Sequence, residues 1–225
     1  MPTLMLQLVG PMQSWGTSSR WDDRDTGPEP SWSGVEGLLA AALGIKKEDS
    51  SGLDPIRKLR MGVRRDRPGT PAVDFQTAGS DGGILRSNGV VAHELVVSRR
   101  HHLMDAAFLV GLEGSDKMFL SRLYAALKNP AHFLSLGRTS YLPSRPIWIK
   151  DGLVEADLVS SLSSWPWLGK PRQRECLPDQ LLLSMDSRDN SGIWRQDVLL
   201  SSFSERRFGG RFVTTVPIPF PGVKS

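Results

Sequence analysis

Leu4-Met5-Leu6-Gln7-Leu8-Val9 is an almost unbroken apolar run, the pattern of a strand buried on both faces, and Gly10-Pro11 ends it. Val35, Leu38, Leu39, Ala42 and Leu43 then recur at helical spacing. Ser33 and Glu36 have the S-x-x-E spacing of a capping box, and Gly44 suits a left-handed stop, so a helix is predicted over 34–43. From Leu59 to Arg65 apolar residues alternate with Arg60 and Arg64, which predicts a strand with one wet, positive face. Arg67-Pro68-Gly69 breaks it. Residues 74–88 are rich in Gly, Ser and Asp, Asn88-Gly89 is a hairpin-turn signal, and Glu94 to Arg100 reads as a returning strand. A protruding arm is therefore expected over about 73–100.

A second buried strand is predicted from Asp105 to Leu112. Ser115 or Asp116 can cap a helix whose Leu120, Leu123, Tyr124 and Leu127 share one face and which Asn129-Pro130 stops. Phe133 to Arg138 reads as a short strand with a glycine turn. The order strand, helix, strand, arm, strand, helix, strand is the split βαβ, or ferredoxin-like, pattern, which is also that of RNA-recognition (RRM-like) folds. Beyond Tyr141, prolines 143, 146, 166, 171 and 178 punctuate short apolar runs with no amphipathic helix evident. The fold class expected is α+β: a ferredoxin-like, RRM-like domain over 1–145 carrying a β-hairpin arm, and a small β-rich region over 146–225.

The 225 residues carry a net charge of only +4, but arginine greatly outnumbers lysine. Guanidinium groups grip phosphate bidentately and stack on bases, so a polyanionic partner fits. The single cysteine, Cys176, rules out an intrachain disulfide and a thiolate metal site. The first residues lack the basic segment and cleavage site of a signal peptide, and the apolar stretch from Leu38 to Ile45 is too short to span a bilayer. A cytoplasmic protein, without membrane contact, is expected.

Familiar catalytic signatures are missing: the chain has neither a G-x-x-x-x-G-K-[ST] loop nor a G-x-S-x-G elbow. His93-Glu94 begins like a zinc-protease motif, but Val97 stands where the second His is needed. Neither a metal centre nor a cofactor is expected. Asp22-Asp23 reads as a solvated charged loop. His101-His102, flanked by Arg99 and Arg100, could supply a general base and a cation for metal-independent RNA cleavage, or simply a basic strand edge that grips phosphate. Trp15, beside Gln13, Ser14, Gly16, Arg20 and Arg24, could stack on a base or pack as core. Arg138 follows Leu136-Gly137 and could present its guanidinium beside backbone N–H groups as a phosphate pocket.

Several segments, in order, resemble one family: residues 6–16 (LQLVGPMQSWG), 33–44 (SGVEGLLAAALG), 63–69 (VRRDRPG), 74–77 (DFQT), 98–108 (SRRHHLMDAAF) and 134–138 (LSLGR). The chain is similar to the CasD family of the RAMP superfamily, subunits of the type I-E CRISPR Cascade complex that hold the 5′ handle of the guide RNA (crRNA). The likeness is strong over about residues 1–145 and weaker beyond. It implies an RRM-like domain whose hairpin "thumb" presses between guide nucleotides and the adjacent backbone subunit, with the handle hooked near the strand-end loop and the glycine turn. It also implies the repeated backbone subunit and the large PAM-recognising subunit as neighbours, with target DNA met indirectly. Type I-E relatives leave RNA cutting to another subunit, whereas relatives in a different subtype cleave RNA. On this basis the RNA-binding residues expected are Gln13, Ser14, Trp15, Gly16, Arg99, Arg100, Gly137 and Arg138, with Arg20, Arg24, Arg64, Arg65 and His101 added from position and chemistry. The expected role is RNA binding without catalysis; the alternative is a crRNA-processing endoribonuclease using His101 and His102.

Overall fold

The computed structural model describes residues 1–17, 22–79, 82–85, 89–93, 95–169 and 176–222. Its elements, in chain order, are β1 (Thr3–Val9), β2 (Met12–Gln13), β3 (Asp23–Arg24), α1 (Trp32–Leu43), α2 (Asp54–Arg57), β4 (Arg60–Arg67), β5 (Thr70–Ala78), β6 (Ile84–Leu85), β7 (Val91–Ala92), β8 (Val96–Met104), β9 (Ala107–Glu113), α3 (Lys117–Lys128), β10 (Trp148–Val154), α4 (Leu158–Ser164), β11 (Gln180–Asp186), β12 (Ile193–Leu199) and β13 (Phe208–Pro219). Seven strands form one antiparallel sheet in the order β10-β1-β9-β4-β11-β13-β12. Its first four strands alternate with α1 and α3. Numbered by chain order within that unit, they lie fourth, first, third, second. The strand that closes the unit is β10, paired with β1, and not the 133–138 segment, which is an irregular loop.

Continuous apolar sequence in β1 reflects cover on both faces. Leu4, Leu6 and Leu8 point into a core with α1 and α3, and Met5 points into a second core with Leu109, Leu158, Leu162, Trp167 and Leu183. That second layer is built by α4, a helix absent from the sequence reading. Its only apolar spacing is Leu158 and Leu162, among four serines. What marks it is Asp157, whose Oδ1 accepts from the Val159 and Ser160 N–H groups at 3.1 Å. It fits against the sheet because Gly62 and Gly111 are cross-strand partners. A Cβ on Gly62 would lie 2.6 Å from Leu162 Cδ1, and one on Gly111 2.7 Å from Leu158 Cδ1.

The wet, positive face expected on β4 is therefore covered. Arg64 is fully buried: its Nε and Nη2 donate to the Asp66 carboxylate at 2.6 and 2.9 Å, and its remaining N–H groups donate to the carbonyls of Leu162, Trp165 and Pro166. Arg65 faces the other core and donates to Glu29 at 2.6 Å. Glu29 also binds Arg195 and Ser184, tying the 22–31 loop to the C-terminal strands. RNA contact from Arg64 is thus corrected to a structural role.

The capping box is corrected too. Helix α1 begins at Trp32, whose N–H donates to Asp197 Oδ2 at 2.8 Å, so a carboxylate from β12 caps it across the molecule. Its stop is as expected, with Gly44 at φ 72°. Glu36 instead lies buried beside Arg57, whose Nε donates to Oε1 at 3.0 Å, while Oε2 has no hydrogen-bond partner among the described residues. Burial pushes the Glu36 carboxyl up from 4.5 to about 7, against the pull of Arg57. A raised carboxyl favours folding while protonated. Its contribution is full below the unfolded value of 4.5 and is lost as pH rises through 7. Relative to Glu36→Gln, the wild type should lose about 2–3 kcal/mol between pH 4.5 and pH 8; urea melts at both pH values measure it, and parallel pH profiles of the two proteins refute it.

Candidate nucleic-acid interface

The arm expected over 73–100 is a two-stranded ribbon, β5 against β8, in register from Thr70–Met104 to Ala78–Val96, with the short β6–β7 pair beyond it. It leaves the sheet where β4 ends and β9 begins. One side of its root is held by β2, which pairs with Met104 and Leu103, and by β3, which runs parallel to Arg99 and Arg100. The segments that the sequence reading grouped, 13–16, 24, 99–101 and 137–138, do converge here, although not with the roles expected of each.

Gln13 and Trp15 are floor. Gln13 is fully buried; its Nε2 donates to the Leu8 and Ala106 carbonyls at 3.0 and 2.8 Å, and its Oε1 accepts from Trp15 Nε1 at 3.2 Å. Trp15 is 1% exposed and packs on Gly34 at the start of α1. Neither side chain faces a ligand, which corrects the stacking role given to Trp15. The two fix the path of the chain between β1 and the arm, so their polar atoms are met inside the protein.

Ser14 donates its N–H to Leu136 O at 3.0 Å and its hydroxyl to His101 O at 3.2 Å. Gly137, at φ 94°, lies flat against the Ser14 carbonyl, where any Cβ would overlap the oxygen. Arg138 donates to the Tyr141 hydroxyl at 2.8 Å and to the carbonyls of Arg24 and His101 at 3.1 and 3.0 Å. The phosphate pocket expected there is instead a guanidinium staple that joins the 133–145 loop to β3 and β8. Gly16 is exposed, and Arg20 lies outside the described residues.

Arg24 and Arg99 are exposed and Arg100 half-buried. Successive strand residues point to opposite faces, so His101 and His102 cannot converge on one group. His101 Nε2 lies 3.0 Å from Asp23 Oδ1. His102 is 3% exposed, its ring centroid 5.8 Å from that of Tyr141. Among the described residues, no three His, Cys, Asp or Glu side chains are grouped so as to hold a metal.

An outward-facing aromatic on the arm, Phe75, is absent from the RNA-binding residues expected from sequence. Phe75 is 67% exposed, and the Arg99 guanidinium lies over its ring, 5.9 Å from the centroid. Val73 and Val97 flank the pair on the same face, both exposed. An exposed aromatic beside a guanidinium, outside both core clusters, is a platform for a flat π-system. The signal was available in the alternation Val73, Phe75, Thr77 within a segment rich in turn residues.

Together these features define an α+β protein with a projecting, aromatic- and arginine-bearing hairpin stapled to one end of a sheet whose central strands are covered on both faces. A family model described as CRISPR-associated protein (Cas_Cas5) matches residues 3–214. The chain is 33% identical over 157 residues to CRISPR system Cascade subunit CasD of Escherichia coli strain K12, covering 65% of this chain and 69% of the relative. Among solved structures, one described as the crystal structure of a Cas protein shares 42% identity at a TM-score of 0.79, covering 99% of this chain and 98% of the other. A chain of a CRISPR RNA-guided surveillance complex shares 32% identity at a TM-score of 0.80, covering 97% of this chain and 91% of that one. The chain belongs to the CasD/Cas5 family of CRISPR-associated proteins.

Proposed function

We propose that this chain is a non-catalytic, crRNA-binding subunit of a type I-E Cascade complex, holding the 5′ handle of the guide with its arm and the loops at the arm's root. The carrying observation is the exposed Phe75–Arg99 pair on a hairpin whose root is locked by Ser14, Gly137 and Arg138. The sheet's α4 face, which an RRM would offer to RNA, is filled by Leu158, Leu162 and Trp167, so the strand is held beside the sheet rather than on it. Phosphates would meet Arg24, Arg99 and Arg100, and a base would lie on Phe75. The β1–α1–β4–β9–α3–β10 unit is read as ferredoxin-like. The C-terminal part, starting after β10, is read as a β-rich extension of the same sheet. The repeated backbone subunit and the large PAM-recognising subunit are the neighbours proposed, with target DNA reached through them, in the cytoplasm. Among the described residues, no helix is long and apolar enough to cross a membrane.

A role without catalysis is supported by the divergent directions of His101 and His102 and by the burial of His102. Phe75→Ala should weaken binding of a repeat-derived single-stranded RNA by about 1–3 kcal/mol, the usual worth of base–aromatic stacking. Arg99→Ala should also flatten the salt dependence, by about 0.7 in log–log slope for one lost phosphate contact. Fluorescence anisotropy across a salt series reads both. Wild-type affinity and slope in the two variants together would overturn the proposal, and RNA cleavage persisting in EDTA would overturn the non-catalytic part.

A further inference from the structure

A groove of about 400 Å³ opens where the C-terminal end of α1 meets α3 and the 45–55 segment. Leu43, Ile45 and Phe119 line it; each packs on the α1–α3 core and stays half-buried, with one side left open. Pro55 adds an exposed apolar wall. Gly44 also lines the groove, whereas Gly34, near the other end of α1, packs on Trp15 beneath the arm's root. At about 1.5 Å per residue, the two glycines lie about 15 Å apart along the helix axis. The groove is therefore separate from the RNA-contacting set above.

Two cations stand at this apolar floor. Lys46 and Arg122 line the groove, both are exposed, and among the described residues neither has a carboxylate partner. The nearby carboxylates are otherwise engaged. Asp49 Oδ1 accepts within its own turn from the Ser51 hydroxyl at 2.8 Å and the Gly52 N–H at 2.9 Å, and Asp54 is held by Arg57. Lys47 and Glu48 offset each other in charge. Met118 lies four residues before Arg122, on the same side of α3, and is 84% exposed, so it carries the apolar strip out along that helix. An RNA strand would meet the cations but leave the aliphatic floor unused, with no freely exposed ring in the lining to stack on. An acidic amphipathic helix uses both: its apolar side chains, spaced at i, i+3 and i+4, enter the groove, and its flanking carboxylates meet Lys46 and Arg122.

We infer that this groove docks an acidic amphipathic helix of a neighbouring protein subunit, with the helix's apolar stripe on Leu43, Ile45, Phe119 and Met118 and its carboxylates against Lys46 and Arg122. That the neighbour belongs to the same RNA-guided complex rests on the function proposed above; the chemistry of the groove does not.

The test uses the full chain with two short, fluorescein-labelled helical probes, one of leucine and glutamate in an amphipathic pattern, the other with every glutamate replaced by lysine. The glutamate probe should bind the wild type, and the lysine probe about tenfold or more weakly. Lys46→Glu combined with Arg122→Glu should invert that preference, and Met118→Ser should weaken the glutamate probe. All three side chains are exposed, so the thermal melts should be unchanged. In the complex assembled from all its subunits and guide RNA, native mass spectrometry should show the double reversal losing a protein subunit, while the free chain binds repeat-derived RNA as the wild type does. No binding of the glutamate probe, equal binding of the two probes, displacement of the bound probe by the RNA, or a full particle from the double reversal would each overturn the inference. None of these outcomes touches the arm reading, which fails only if Phe75→Ala and Arg99→Ala bind RNA as the wild type does.

Discussion

Asp66→Ala is expected to destabilise the protein by about 3–5 kcal/mol, the loss typical of stripping one partner from a buried ion pair. At this chain length that is a fall in melting temperature of roughly 6–20 °C. The carboxylate accepts from both sides of the Arg64 fork and from the Leu168 N–H at 2.7 Å. Without it the Arg64 guanidinium is left with no carboxylate in a place water does not reach. Hydrophobic replacement of both members often restores stability elsewhere, but Arg64→Met/Asp66→Leu should not do so here. The Leu162, Trp165 and Pro166 carbonyls would lose their donor, and each buried group left unpaired costs about 1–3 kcal/mol. Denaturant melts of the single and double variants decide this; a loss below about 1 kcal/mol in Asp66→Ala would show that the pair is not as dry as its burial indicates.

Gly137→Ala should be the most damaging small substitution at the arm's root. The backbone there sits at φ 94°, and the added methyl would overlap the Ser14 carbonyl. Strain and displacement together come to about 2–5 kcal/mol. The 133–145 loop must then lift away. The Arg138 contacts to Arg24 and His101 and the Ser14–Leu136 bond are lost with it. Limited proteolysis should cut the arm's root faster than in the wild type, and RNA binding should fall although no proposed RNA-contacting side chain has changed. Wild-type proteolysis and RNA affinity in Gly137→Ala would mean that the root tolerates a loose loop and that the staple does not set the arm's position.

The elements readable from the chain were those whose signal is local. β1, α1, α3 and β9 announce themselves by apolar periodicity, and Gly44 and Asp116 act at helix ends as their chemistry dictates. The arm was legible because turn residues and a basic returning strand interrupt that periodicity. Helix α4 was not, since seven residues with two leucines carry too little pattern, and their place is set by Gly62 and Gly111 far away in sequence. Nor could spacing alone distinguish a capping Glu36 from one buried against Arg57.

The same division runs through the site. Sequence by itself determined the family, the α+β class and the segments that meet at the arm's root, because motif order and periodicity are properties of the chain. Only the tertiary structure decided which side chains face outward. It turned Gln13, Trp15, Arg64 and Arg138 inward, where their polar atoms satisfy buried groups, and left Phe75 and Arg99 to face solvent. The reason is physical: an arginine or an indole has the same chemistry in a core as on a surface, and only the packing of distant segments settles what lies opposite it.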